Sequence, residues 1–148
     1  MLAHVEITAV HMYWDTVLRF DSADPAQALP FAFFDDFMSV IADEARHFKM
    51  VDGRLRALGH EYGAWPALDA LWRLALSTRG DIAARLALVP LVQEARGLDA
   101  GPRYVERFLS AGDFLSAEIT RTVVYVAMIT FWTLQFAVSI TLTLYIDE

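Results

Sequence analysis

The 25 residues 122–146 carry no charged side chain, and their polar residues are Gln135 and several Thr and Ser. A run of this kind does not stay in water. About 20 apolar residues can cross a bilayer as a helix, so two arrangements are open. Either this is the last helix of a bundle, buried against its neighbours or a partner subunit, or it spans a membrane. Its Thr-rich, β-branched composition is poor in helix formers, which either kind of burial tolerates.

The rest of the chain reads as helices joined by short loops. Residues 1–20 have helical apolar spacing and no Gly or Pro, and Asp21 to Pro25 have turn chemistry. A second helix is predicted from about Pro30, a residue suited to a first helical turn, to about Leu58, with Gly59 beyond its end. A third covers about 66–96, broken or kinked at Gly80 and Pro90, and GLDAGP (97–102) ends it. A short helix over about 103–111 precedes a turn at Gly112, with Asp113 as the N-cap of the last long helix, which runs to about Tyr145. With no convincing strand alternation before Thr122, the pattern predicts an all-α, antiparallel helix bundle forming a single domain over 1–148.

Composition narrows the function. A net charge of −7 argues against nucleic-acid binding. The 56% apolar and 21% charged fractions argue against disorder. The chain has no cysteine, which excludes disulfides and thiolate metal sites and fits the cytoplasm. His4 and Glu6 interrupt any N-terminal signal-peptide pattern.

One motif carries chemistry. In IADEARHFKM (41–50), Glu44 and His47 stand three residues apart and share a helix face. A lone Glu-x-x-His occurs by chance on many solvated helices. It gains meaning if other helices add donors, because carboxylates and imidazoles from facing helices bind paired cations in bundle cores. Helix 3 offers Glu94 in an apolar setting, and helix 1 offers Glu6 and His11. His11 and Glu44 are 33 residues apart. The same step from Glu94 arrives near 127–128, where Met128 and Phe131 replace a second Glu-x-x-His.

Several stretches resemble an uncharacterised bacterial family of ferritin-like proteins: AHVE (3–6), LPFAFFDDF (29–37) with DEARHF (43–48), LGHEYG (58–63), LDALW (68–72), RLALVP (85–90) with EARGLD (94–99), and GD (112–113) with SAEI (116–119). The resemblance covers roughly residues 1–125. It implies a ferritin-like four-helix core, here with an extra short helix before the last long one, and a dinuclear iron or manganese site. Glu44, His47 and Glu94 match ligand-type positions of that pattern. His11 stands where the family pattern looks like Ala-Ile-Glu, Leu68 where it tends to carry histidine, and beyond Tyr125 the expected Asp-Glu-x-x-His is missing.

Other polar residues have plainer readings. Asp35 and Asp36 suit the start of helix 2, Arg46, Arg54 and Arg56 balance charge, and His4 is exposed. His60 is structural, and Trp14, Trp65, Trp72 and Trp132 fill core or interface. No phosphate loop and no Ser/His/Asp set is present. Two functions follow. One is a metal protein in which Glu44, His47, Glu94, His11 and Glu6 hold iron or manganese for redox chemistry. The other is a non-catalytic bundle that uses 122–146 as a membrane anchor or as the contact of a homo-oligomer.

Overall fold

The computed structural model describes residues 1–24 and 28–146; from residue 130 onward only Gln135 has a described side chain. Its helices are α1 (Leu2–Arg19), α2 (Phe31–Ala57), α3 (Ala70–Ser77), α4 (Ile82–Leu86), α5 (Val92–Ser110) and α6 (Phe114–Ile146), with a π-helical turn over Ala87–Leu91 joining α4 to α5. No strand occurs among the described residues, so the all-α expectation holds.

α1 and α2 form an antiparallel hairpin. Glu6 approaches His47 at 3.6 Å near one end. Further along α1, Tyr13 meets the edge of Phe37, earlier on α2, with ring centroids 5.9 Å apart. Phe33 and Phe37 stack at 4.5 Å and join Met12, Val40, Ile41, Leu86 and Val89 in the core.

α5 and α6 form a second hairpin. Gly112 turns at φ 75°, a left-handed conformation in which glycine carries no steric penalty. Asp113 caps α6, as expected: its Oδ1 accepts the Ser116 N–H at 2.9 Å. Arg54, at the far end of α2, donates to Asp113 at 2.8 Å and to the Ser116 hydroxyl at 2.9 Å. The end of α2 is thereby tied to the start of α6.

Two boundaries differ from the sequence reading. Helix 3 begins at Ala70 rather than 66, because residues 61–70 are all exposed and no apolar face drives helix formation there. His4 fastens this segment to α1. Its Nε2–H donates to the Leu68 carbonyl at 2.8 Å, which leaves Nδ1 to accept the Tyr62 hydroxyl at 2.9 Å. His4 is therefore half-buried and bonded, not simply exposed.

The second correction is larger. The break at Gly80 is real, with Asp81 capping α4 through the Ala84 N–H at 3.0 Å, and Pro90 falls in the π-helical turn. GLDAGP, however, does not end a helix. α5 passes through Gly97, Gly101 and Pro102 to Ser110, so the expected short helix is its C-terminal half. Packing outweighs local propensity here. Gly101 is buried against α6, and a Cβ there would lie 2.3 Å from Val124 Cγ2 and 3.3 Å from Val124 Cβ.

A second buried polar feature ties the short helices to α1. Arg85 is 0% exposed. It donates to Asp15 at 2.8 Å, Thr16 at 3.0 Å, Thr78 at 2.9 Å and the Ala75 carbonyl at 2.6 Å. Its guanidinium sits over the Phe20 ring, 5.7 Å from the centroid. A buried cation this well satisfied is tolerated, and removing its counter-charge is not.

Among the described residues no helix is long and apolar enough to cross a membrane. Most side chains of the run 122–146, Phe131 and Trp132 among them, lie outside the described residues.

Two variants test this packing. Asp15→Asn leaves the Arg85 charge uncompensated and is expected to lower stability by about 1–3 kcal/mol at pH 7, less than for a wholly buried pair because Asp15 touches water. Hydrogen bonds from Arg19, then from Arg85, hold the Asp15 carboxyl below its ordinary value of 3.8. Its stabilisation is therefore complete above that value and disappears as pH falls through the lower native value. Denaturant unfolding at pH 7 and pH 3 should show the wild-type advantage shrinking at pH 3; an equal advantage at both would rule out the ion pair as its source. Gly101→Ala should cost about 1–3 kcal/mol by overpacking, although alanine is the better helix former. Adding Val124→Ala should recover part of that loss in a double-mutant cycle.

Candidate metal centre

The buried stripe of α2 runs Phe33, Phe37, Val40, Ile41, Glu44, His47, at helical spacing. Its first four members are apolar and set which face turns inward. Its last two are ionisable and are carried into the same interior. α1 presents the matching stripe Glu6, Ala9, Met12, Tyr13, Thr16. Antiparallel pairing of the two stripes brings Glu6 opposite Glu44 and His47.

These three residues are 7%, 4% and 3% exposed, and each offers a donor atom within 4.8 Å of the others. His47 Nδ1 lies 3.5 Å from Glu44 Oε2 and 3.6 Å from Glu6 Oε2. Both separations are too long for good hydrogen bonds, and Nδ1 has no hydrogen-bond partner among the described residues. Donors sharing one cation through bonds of about 2.1 Å sit roughly 3–3.6 Å apart. The two separations from Nδ1 thus suit ligands around one ion better than groups bonded to one another.

Glu94 comes from α5. The Tyr13 hydroxyl donates to its Oε1 at 2.7 Å. Glu94 shares a cavity of about 270 Å³ with Glu6, Glu44, His47 and Tyr13, and α6 lines it with Thr120, Val123, Val124 and Ala127.

Burial governs the electrostatics. It pushes the Glu44 carboxyl up to about 8; the His47 ring opposes this, and Glu94 and Glu6 add to it. Burial likewise lifts Glu94 to about 7, against the pull of the Tyr13 hydrogen bond. Burial disfavours charge on the His47 ring, yet Glu44 and Glu6 together prevail and raise it to about 9. The Tyr13 phenol is raised well above 10.0, by burial first and Glu94 next. With protons alone, the cluster is held in a state poor in negative charge. A divalent cation would favour the carboxylates and the neutral imidazole instead.

Of the residues expected from sequence, Glu6, Glu44, His47 and Glu94 meet at one cavity. His11 does not: it is exposed. Five residues of α-helix turn through about 500°, which leaves His11 roughly 140° around α1 from Glu6. Tyr13 was missed. The signal was available, since Tyr13 follows Glu6 by seven residues and so shares its face.

The metal-free protein should therefore lose stability as pH rises from about 5 to about 9. Glu44 and Glu94 ionise near 4.5 when unfolded but near 8 and 7 when folded, so each disfavours folding increasingly across that window. The raised His47 acts in the same direction: its stabilisation is full below 6.5 and lost as pH rises through about 9. Glu44→Gln should flatten the fall. Melting temperatures of chelator-treated protein across this range test it, and a profile that rises with pH would contradict it.

A family model described as protein of unknown function (DUF455) matches residues 1–125. The chain is 39% identical over 119 residues to an uncharacterized protein of Haemophilus influenzae; the alignment covers 80% of this chain and 41% of that protein. The match thus spans about two fifths of this relative's length. No solved structure matches it. Glu6, Tyr13, Glu44, His47 and Glu94 all fall within the matched segment, and the chain belongs to the DUF455 family.

Proposed function

We propose that this chain binds iron or manganese through Glu6, Glu44 and His47, with Glu94 beside them, in a ferritin-like four-helix arrangement of α1, α2, α5 and α6. The observation that carries this reading is His47 Nδ1: buried, unbonded, and flanked by two carboxylate oxygens at 3.5 and 3.6 Å. An unpaired polar atom in that position is costly unless something else satisfies it. An oxygen-rich set with one imidazole and no thiolate suits iron and manganese. The two antiparallel hairpins, with donors on their inward faces, support the ferritin-like reading.

Such an ion supplies one-electron redox chemistry when bound, and on that ground we read the protein as an oxidoreductase. The chain's own residues do the positioning. Glu44 and His47 present their donors from the middle of α2, and Glu6 from the second turn of α1. The Tyr13 hydroxyl orients the Glu94 carboxylate, and the apolar wall of α6 limits the approach of water. A cysteine-free chain supports the reducing cytoplasm as its compartment.

Protein loaded anaerobically with Fe(II) or Mn(II) should keep the metal through gel filtration and melt at a higher temperature than the metal-free form. Glu44→Ala combined with His47→Ala should abolish both effects. Tyr13→Phe should weaken binding by about 10-fold, as loss of a group that orients a ligand does. Equal retention by wild type and the double variant would refute this function.

A further inference from the structure

We infer that the site of this chain holds one metal ion rather than a pair. This rests on the metal-binding reading above and sharpens it. A paired site in a helical bundle draws about six carboxylate and imidazole side chains from four helices. Among the described residues the cavity has four: Glu6 from α1, Glu44 and His47 from α2, and Glu94 from α5. α5 has no more to give, because Asp99 and Glu106 are exposed. The acid of α6, Glu118, is exposed and pairs with Arg121 at 3.4 Å. From Thr122 to Ile146 the sequence has no Asp, Glu or His. Among the described residues, α6 lines the cavity with Thr120, Val123, Val124 and Ala127, and the Thr120 hydroxyl donates to the Ser116 carbonyl at 2.8 Å.

The four donors are also not equivalent. Glu6, Glu44 and His47 form the compact group within 4.8 Å. Glu94 stands beside that group, its Oε1 held by the Tyr13 hydroxyl at 2.7 Å. One divalent ion is neutralised by the Glu6 and Glu44 carboxylates, with His47 as a neutral third donor. A second divalent ion would have Glu94 alone as fresh counter-charge, which leaves net positive charge in an apolar cavity with too few donors around it. Burying uncompensated charge is strongly unfavourable. The protein donors lie on the α1, α2 and α5 sides, and the side toward α6 adds no carboxylate or imidazole among the described residues.

The test counts ions in the full chain. Wild type and the Glu44→Ala, His47→Ala variant are loaded with excess Mn(II), desalted and measured by elemental analysis; the difference removes metal bound elsewhere, as at exposed His11. One ion per chain is the expected difference. Two would overturn this inference and leave the metal-binding function standing, whereas none would overturn both. Should the double variant fail to fold, as judged by circular dichroism, electron paramagnetic resonance of Mn(II)-loaded wild type decides independently. The spectrum of an isolated ion supports the inference, and that of an exchange-coupled pair overturns it.

Discussion

Two carboxylates and an imidazole gathered within 4.8 Å and withdrawn from water make a demand on every helix around them. Each group alone would be costly to bury. Together they repel or hold protons unless a cation joins them. The helices must therefore be held in place by something other than this cluster. The aromatic and aliphatic stripe shared by α1 and α2 does that, with Tyr13 against Phe37 and Phe37 against Phe33. Apolar burial supplies the stability, and the polar cluster draws on it. A functional site is commonly built this way, with unfavourable local interactions offset by the scaffold.

The same molecule holds an instructive contrast. Arg85 is as deeply buried as any group in the cluster, yet its three guanidinium nitrogens all find partners within the chain: Asp15, Thr16, Thr78 and the Ala75 carbonyl. That network is complete, and its role is to lock α4 onto α1 and α3. His47 Nδ1 has carboxylates nearby but none close enough to bond. Equal burial thus hides a difference: the hydrogen-bonding capacity of Arg85 is used up internally, and that of His47 Nδ1 is not.

α6 gives this chain its asymmetry. Among the described residues, α1, α2 and α5 bring carboxylates and an imidazole to the cavity, and α6 brings Thr120, Val123, Val124 and Ala127. Gly101 lets α6 approach α5 closely enough for Val124 to occupy the space a Cβ would take. The α6 side of the cavity is consequently mostly apolar. The family match ends at residue 125, close to where the α6 sequence turns wholly uncharged.

Much of this was legible in the residues. Helical periodicity, the Asp113 cap, the Gly80 break and the pairing of Glu44 with His47 on one face all follow from local rules, because caps, turns and face-sharing depend on neighbours a few positions away. Glu94 was identifiable as an acid in an apolar setting. Other features needed three dimensions. His11 pointed outward because Glu6 had already claimed the inward face of α1. Tyr13 became part of the site because α5 delivered Glu94 to its hydroxyl. Gly97 to Pro102 stayed helical because packing against α6 outweighed the local cost of Gly and Pro. By itself the sequence determined the helices, their inward faces and the kinds of donor available, since these rest on short-range chemistry. The tertiary structure alone decided which donors meet, at what spacing, and which remain unsatisfied, since those distances arise only when separate helices pack.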